Sequence, residues 1–380
     1  MLKNKIYTYI SKEIIKSFFI ILFAFTSIAW TVRAVNFLDL IIENAYPIKT
    51  YLFYSLLNVT SIITKFIPLS FLLALIISII KFQRQSELII LWTTGLEKMK
   101  LVNLFFQISI VVVLIQFCFS IIITPYSLNK SRTLVRTSGI DSISSIIKTN
   151  DFSDAFKKTT FFIEKRNSSS EMENIFIRDE TNLFSNLASK NKDSLNTTIV
   201  AKKGYFDENN KLILYNGLIQ TKKKGGKLDN FNFSKTELNL ESLESRATTI
   251  PKIQETPTFF LINCIKFKNV NIKQGLFGCP EKQVVVENIS RRIGMPFYIP
   301  VISLISSFLL IATRRNKNNF VRKYIYFVIG FLVLVIGEML VRYTGFSNLN
   351  TLIYFLLPIL FCPLLYFVLM NKFLYEKLKT

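Results

Sequence analysis

The sequence of 380 residues contains no histidine. Histidine is the commonest general base and the commonest metal ligand in proteins, so the usual residue for either kind of chemistry is missing. The GxxxxGK[ST] pattern of a phosphate-binding loop is also absent, which excludes a P-loop ATPase in this chain. Carboxylates are scarce in the apolar stretches, and we find no catalytic constellation. We therefore expect no catalytic residues, no metal and no cofactor bound by the chain.

Long apolar stretches are the dominant feature of the sequence. Half of the residues are hydrophobic, including 36 phenylalanines, which rules out an ordinary soluble globular protein. About 20 consecutive apolar residues suffice to cross a bilayer. We predict transmembrane helices over residues 17–32, 52–80, 101–125, 293–313, 322–341 and 350–370. The basic start of the chain is not followed by a small-residue cleavage site, so we interpret the first stretch as a retained span.

A hydrophilic insert at residues 126–288 separates three spans in residues 1–125 from three in residues 289–380. It is too polar for the bilayer and long enough to be a folded domain. We predict short strands over residues 159–165, 174–178, 197–201, 211–215, 217–221 and 231–233, an irregular or helical stretch over 135–156 and a short helix over 258–266. The predicted fold is a six-helix membrane bundle with an inserted all-β, jellyroll-like domain. Alternation alone does not distinguish a filled core from an open groove for an apolar ligand.

The lysines and arginines indicate how the chain crosses the membrane. The terminal segments and the loops 81–100 and 314–323 hold 16 of them, whereas the loops 33–50 and 342–349 hold three. The positive-inside rule therefore predicts cytoplasmic termini and an exported insert. The same distribution accounts for most of the net charge of +22, so we do not expect a nucleic acid as partner.

The chain has four cysteines. Cys118 and Cys362 lie in predicted spans, where we interpret them as packing residues. Cys264 and Cys279 lie in the exported insert, where a disulfide can form. Their spacing is equally compatible with two unpaired thiols.

Four basic residues lie where the positive-inside rule disfavours them. Arg33 ends the first span, Arg291 and Arg292 open the fourth, and Lys65 falls inside the second. If the roughly 20 residues before Lys81 cross the hydrocarbon, Lys65 lies about one turn below the outer interface. Any one of them alone is explained by snorkelling to lipid headgroups. Together they are what a cavity needs to hold an amphiphile with anionic groups, and we favour that interpretation.

The loop after the second span has a pattern of its own, formed by Arg84, Ser86, Glu87, Leu88 and Gly95. Ser86 is a suitable cap for a short helix with Glu87 in its first turn, and Gly95 is suited to end it. Such a helix either lies on the membrane surface or docks on a motor protein.

Two features of the fifth span concern helix contacts. Glu338 and Arg342 are one helical turn apart, with the acid first, and we predict a structural ion pair between them; a role in gating is the alternative. Gly330 and Gly337 are one heptad apart and predict a smooth face for close packing of another helix.

These segments together resemble the LptF/LptG family (YjgP/YjgQ type), the permease subunits of the lipopolysaccharide exporter. The resemblance covers nearly the whole chain and is strongest from Arg84 to Leu88 and at Gly95, where Thr94 replaces the usual alanine. Other matching segments are residues 9–13, 68–69, 201–204, 214–217 and 287–292. The run 30–42, which contains Arg33, is more similar to the LptF branch.

The resemblance implies a transport subunit of the bacterial inner membrane, with residues 126–288 forming a periplasmic β-jellyroll. Arg33 and Lys65, together with Arg291 or Arg292, would meet the lipid A phosphates in a cavity shared with an LptG-type subunit. The segment at about 84–99 would be the coupling helix that docks on an LptB-type ATPase dimer, which hydrolyses the ATP. The first and fifth spans would form lateral gates. The lipid would pass to an LptC-type membrane-anchored adaptor and an LptA-type bridge.

Other functions stay open at this point. The chain is compatible with a permease for another anionic lipid or for lipoproteins, although MacB-type permeases place the exported domain after the first span. A membrane-bound transferase would need a nucleophile or a carboxylate cluster at the exported face, which we do not find. In a sensor or scaffold the cations only anchor helices, so removing Arg33 and Lys65 would leave lipid export unchanged.

Overall fold

The computed structural model describes residues 2–42, 46–141, 149–156, 158–167, 171–180, 194–207, 211–223, 228–239, 252–266, 279–311 and 319–379. The chain divides into two compact units. A helical unit comprises Met1–Val32, Asn58–Asn129 and Lys252–Thr380. The second unit, Arg33–Leu57 and Lys130–Pro251, contains the β-strands.

Helices make up most of the described chain. They are α1 (Leu2–Asn36), α2 (Asp39–Ile42), α3 (Ile48–Arg84), α4 (Glu87–Thr93), α5 (Lys98–Phe117), α6 (Thr124–Asp141), α7 (Thr258–Lys266), α8 (Lys282–Gly294), α9 (Tyr298–Ser307), α10 (Asn319–Tyr343) and α11 (Asn348–Lys379). A π-helical segment, Cys118–Ile123, joins α5 to α6. Short 3₁₀ turns lie at Ile253–Glu255, Met295–Phe297 and Phe308–Leu310.

Six helical segments of the described residues are long and apolar enough to cross a membrane. They are Lys5–Ile41, Ile48–Arg84, Lys98–Val135, Lys282–Leu310, Lys323–Tyr343 and Asn348–Tyr375. The predicted six-helix bundle with an inserted β domain is therefore confirmed. Several helices extend beyond the predicted spans because backbone hydrogen bonding continues into their polar flanks, as in the 37 residues of α3.

Close contacts between helices in the bundle depend on the glycines of α10. A Cβ atom at Gly330 would lie 2.7 Å from Cδ1 of Leu72 on α3, and one at Gly337 would lie 3.1 Å from the ring of Tyr298 on α9. The predicted smooth face of the fifth span is thus confirmed. It lets α10 approach two neighbours that a larger side chain would hold apart.

The β-strands form one antiparallel sheet. They are β1 (Phe152–Phe156), β2 (Thr159–Arg166), β3 (Met172–Asp179), β4 (Ser194–Phe206), β5 (Lys211–Lys223) and β6 (Leu228–Asn239), and each strand pairs with the next. Phe161, Ile177, Ile199 and Ile219 lie in register across four strands and are buried. The predicted β domain in the insert is confirmed as a six-stranded antiparallel sheet, but two predicted strands, 211–215 and 217–221, belong to the single strand β5.

Strand β5 continues through this point because Tyr215 and Gly217 both pair with β4 and β6, although Asn216 between them adopts a left-handed conformation, with φ of 51°. Asn174 on β3 does the same, with φ of 53°, and its Nδ2 donates to Glu164 Oε2 on β2 at 2.6 Å. Asparagine tolerates this conformation better than most residues do. In β3 the buried positions change from Ile175 and Ile177 to Met172 across the left-handed residue, so the strand alters which side chains face the core.

Candidate functional site

A cavity of about 430 Å³ lies within the helical unit. It is bounded by α3, the third span, α8, α10 and the segment that precedes α7. Its polar lining consists of Ser61, Thr64, Lys65, Gln116, Ser120, Thr124, Gln254, Asn288, Arg291, Arg292 and Glu338. Its apolar lining consists of Pro68, Leu69, Pro125, Met295, Phe331, Leu334 and Val335. Ligand sites commonly have volumes of roughly 300–1,000 Å³ and combine apolar walls with a few polar groups, so this cavity is our candidate site.

Pro68 shapes one wall of the cavity. Because proline has no backbone N–H, the carbonyl of Thr64, one turn earlier in α3, loses its helical partner. Gln116 of the third span replaces that partner, since its Nε2 donates to the Thr64 oxygen at 2.9 Å. Four residues later, in the π-helical segment, Ser120 Oγ donates to the carbonyl of Arg292 at 3.0 Å. These two bonds join the second, third and fourth spans around the cavity.

Arg292 is bound by the protein itself. The residue is 7% exposed. Its Nη1 donates to the carbonyl of Thr256 at 3.0 Å and to Thr258 Oγ1 at 2.7 Å. Its Nη2 donates to the carbonyls of Ile253 and Gln254 at 3.1 and 3.2 Å. Arg292 therefore fastens the segment before α7 to the fourth span. Both terminal nitrogens are thus occupied by protein acceptors, and the predicted contact of this residue with a lipid phosphate stays a prediction.

Arg291 lies between two carboxylates. Its Nη2 is 3.2 Å from Glu287 Oε1 on the same helix and 3.0 Å from Glu338 Oε1 on α10. The sequence predicted an ion pair between Glu338 and Arg342. Among the described ion pairs, Glu338 is instead joined to Arg291. The prediction considered only a partner on the same helix, whereas the packing of α10 beside α8 supplies a cation from another span. Arg342 is exposed at the end of α10.

The structure brings three of the four predicted cations to one cavity. Lys65 lies on α3, three residues before Pro68, and lines the cavity with Arg291 and Arg292. The fourth, Arg33, belongs to the unit that contains the β-strands and lies in the last turn of α1. Next to it, Tyr51 Oη donates to the carbonyl of Ala34 at 3.0 Å, which fixes the end of α1 against the start of α3.

The predicted helix after the second span is α4. Its end is as predicted: Gly95 has φ of 81°, its N–H donates to the Trp92 carbonyl, and the N–H of Leu96 donates to the Leu91 carbonyl, each at 3.1 Å. This is the Schellman arrangement of a helix C-terminus. The start differs from the prediction, because Ser86 makes no side-chain capping bond and is itself left-handed, with φ of 59°. Ser86 therefore acts as the sharp turn after α3.

One face of α4 packs against the bundle and the other is exposed. Leu88 is 5% exposed, whereas Ile89 and Ile90 are about 60% exposed. Arg84, the last residue of α3, is also exposed. The exposed side of this predicted coupling segment thus combines apolar and basic groups.

Two polar contacts join this region to α1. Tyr9 Oη donates to Glu87 Oε1 at 3.2 Å, and Lys81 forms an ion pair with Glu13. The residues from Tyr9 to Glu13 and the segment around Glu87 both carry the family resemblance noted above. They are about 70 positions apart in sequence, and only the folded bundle shows that they are in contact.

Cys264 and Cys279 are joined by a disulfide, which settles the alternative that spacing left open. The bond connects α7 to the segment before α8, so it closes a loop immediately next to the residues that Arg292 holds. Cys118 and Cys362 are free cysteines.

Sequence reasoning missed Gln116, Ser120 and Asn288, which also line the cavity. A usable signal was present, because Gln116 and Ser120 are polar residues four positions apart within an apolar stretch and so lie on one helix face. Their partners, the carbonyls of Thr64 and Arg292, could not be read from the sequence.

Comparison with known proteins gives one family match. The family described as "Lipopolysaccharide export system permease LptF/LptG" matches residues 8–372, which include the β domain and nearly all of the six spans. It treats the LptF and LptG branches together, so the preference for the LptF branch stays a prediction. No curated protein matches the chain.

Proposed function

Since the chain belongs to the LptF/LptG family of lipopolysaccharide export permeases, we propose that it extracts lipopolysaccharide from the outer leaflet of the bacterial inner membrane as a subunit of an ATP-driven exporter. The chain binds and moves the lipid, and a separate partner hydrolyses the ATP. The extracted lipid then passes to a periplasmic β-jellyroll bridge.

The cavity that contains Lys65 and Arg291 is the observation that carries this proposal. Lipid A is an amphiphile with phosphate groups, and a phosphate is bound most strongly by Lys and Arg side chains in a partly desolvated site. The cavity offers those cations beside apolar walls formed by residues such as Leu69, Leu334 and Phe331. In this proposal the phosphates bind to Lys65 and Arg291 and the acyl chains contact the apolar walls. Arg33, at the end of the first span, is a further candidate to bind an anionic group of the lipid.

We assign the docking of the ATPase to α4. The exposed Ile89 and Ile90, and the exposed Arg84 at the end of α3, offer apolar and charged contacts to a cytoplasmic partner. The contacts of Tyr9 with Glu87 and of Glu13 with Lys81 then transmit movement of α4 to the first span. The partners in this proposal are an LptB-type ATPase dimer, an LptG-type permease, an LptC-type adaptor and an LptA-type bridge.

We place both termini in the cytoplasm and residues 126–288 in the periplasm. The charge distribution along the loops supports this orientation. The disulfide between Cys264 and Cys279 supports it independently, because disulfides persist in the periplasm and are rare in the cytosol.

Site-specific photo-crosslinking tests the proposal. A photoreactive amino acid at Leu69, on the cavity wall, is expected to form a lipopolysaccharide adduct in the complete exporter, and the adduct should diminish when ATP drives the lipid onward. The matched control is Ile77 on the same helix, which is 48% exposed and does not line the cavity. An exporter that gives no adduct at Leu69, equal adducts at both positions, or labelling insensitive to ATP would contradict the proposal.

A further inference from the structure

The ion pair between Arg291 and Glu338 connects two spans at the wall of the cavity. Arg291 belongs to α8 and Glu338 to α10, and both residues line the cavity. Their side chains are 32% and 47% exposed, so a ligand in the cavity can reach both groups. The pair is therefore a link between helices that lies in the path of an incoming anion.

Arg291 has hydrogen-bond donors that its two carboxylates do not use. Both carboxylates contact the same nitrogen, Nη2, whereas a guanidinium has five N–H groups on three nitrogens. The Nε atom is buried and has no hydrogen-bond partner among the described residues. Because Nε is buried, a phosphate that enters the cavity must approach the terminal nitrogens of Arg291. There it competes with the Glu338 carboxylate on Nη2 for the hydrogen bonds that guanidinium groups make with oxyanions.

Glu287 and Glu338 differ in how easily they can move away from Arg291. Glu287 is one turn from Arg291 on the same helix and stays near it whatever α10 does. Glu338 is carried by α10 and is the more exposed of the two acids, so it can move away and become hydrated. A partly exposed ion pair is weak, and a phosphate beside Arg291 would repel the Glu338 carboxylate while Lys65 attracts the same phosphate.

We propose that Glu338 is the counter-ion that an anionic lipid headgroup displaces from Arg291, and that this exchange releases α10 from α8. The inference rests on the proposed function and adds the residue that couples binding of the headgroup to movement of the fifth span. Lipid binding and the α8–α10 link then oppose each other, so weakening the link strengthens lipid binding.

Spin labels on the two helices test the exchange. Lys282→Cys and Tyr343→Cys place labels at exposed ends of α8 and α10, in a chain whose free cysteines Cys118 and Cys362 are replaced by serine. These ends begin close together, because a Cβ atom at Gly345 would lie 2.4 Å from the carbonyl oxygen of Gln283. The complete exporter in nanodiscs is measured by electron paramagnetic resonance with and without lipopolysaccharide.

We expect lipopolysaccharide to lengthen the distance between the labels by about 2 Å or more, the scale of helix shifts in such transitions. Glu338→Gln should give the longer distance without lipid and should bind lipopolysaccharide about two- to fivefold more tightly, as expected from losing one exposed ion pair. Glu287→Gln is the matched control: it removes the other carboxylate of Arg291 and should keep the short distance until lipid is added.

The outcomes separate the inference from the proposed function. If the unmodified exporter binds no lipopolysaccharide, the proposed function fails. If it binds the lipid but the distance does not change, or if Glu338→Gln and Glu287→Gln behave alike, only the exchange is overturned. Size-exclusion chromatography of each variant with its partners identifies any that fail to assemble, and for those Glu338→Asp, which keeps the charge on a shorter side chain, takes the place of Glu338→Gln.

Discussion

At the scale of single residues, two adjacent arginines have different tasks. Arg292 donates to three backbone carbonyls and a threonine in a buried site, whereas Arg291 forms partly exposed ion pairs at the cavity. Neighbouring positions on a helix point in directions about 100° apart, so one side chain can support the fold while the next faces a ligand.

Paired substitutions separate these tasks. Arg292→Gln leaves buried carbonyls without donors and should lower the free energy of unfolding by about 2–4 kcal/mol, since each unsatisfied group costs roughly 1–3 kcal/mol. Arg291→Gln should change stability by less than about 1 kcal/mol, because its ion pairs are partly exposed, but should weaken lipopolysaccharide binding. Thermal unfolding and lipid binding of both purified variants check this, and an equal loss of stability in the two would refute the division.

At the scale of elements, the contact of α1 with α3 and α4 is the connection most open to a test. Glu13 on α1 pairs with Lys81 near the end of α3, and Tyr9 on α1 bonds to Glu87 at the start of α4. If these contacts transmit movement of α4, breaking them should uncouple ATP hydrolysis from lipid export and leave hydrolysis itself intact.

Charge reversal tests that coupling. Glu13→Lys places two cations together and should reduce lipopolysaccharide export several-fold while the partner continues to hydrolyse ATP. Adding Lys81→Glu restores an ion pair with the opposite polarity and should recover most of the export. The measurement is lipid release and phosphate production by the same reconstituted exporter. A double variant no better than Glu13→Lys would show that the pair transmits nothing.

At the scale of the whole molecule, the disulfide reports how the chain lies in the membrane. Cys264 and Cys279 should be oxidised in cells and resist alkylation until reduced, whereas Cys118 and Cys362 should react once the protein is denatured. Retention of the insert in the cytoplasm would instead leave four reactive thiols. Counting alkylated cysteines by gel shift, before and after reduction, decides between the two orientations.

The same bond contributes to stability. Closing a loop of about 15 residues is worth about 3 kcal/mol in the chain-entropy description, so Cys264→Ser should destabilise the segment that Arg292 anchors. Cys118→Ser is the matched control and should have little effect.

Some features of this protein follow from residue order alone. The six spans and the β character of the insert were predicted correctly because both depend on local periodicity and on the exclusion of polar backbone from lipid. The close-packing face of Gly330 and Gly337 and the end of α4 at Gly95 were also predictable, since glycine is the residue most often used for close helix contacts and left-handed helix ends. Even the likeness to the permease family rests on short segments read along the chain.

Contacts between segments that are distant in sequence depend on the tertiary structure. Glu338 pairs with Arg291 instead of Arg342, and Arg292 donates to backbone carbonyls before α7, because segments that are remote in sequence pack side by side. Gln116 enters the cavity wall because Pro68 on another span leaves a carbonyl without a donor. Charge and hydropathy patterns report which residues can bind an anion, but the packing of the spans determines which of them already have a partner.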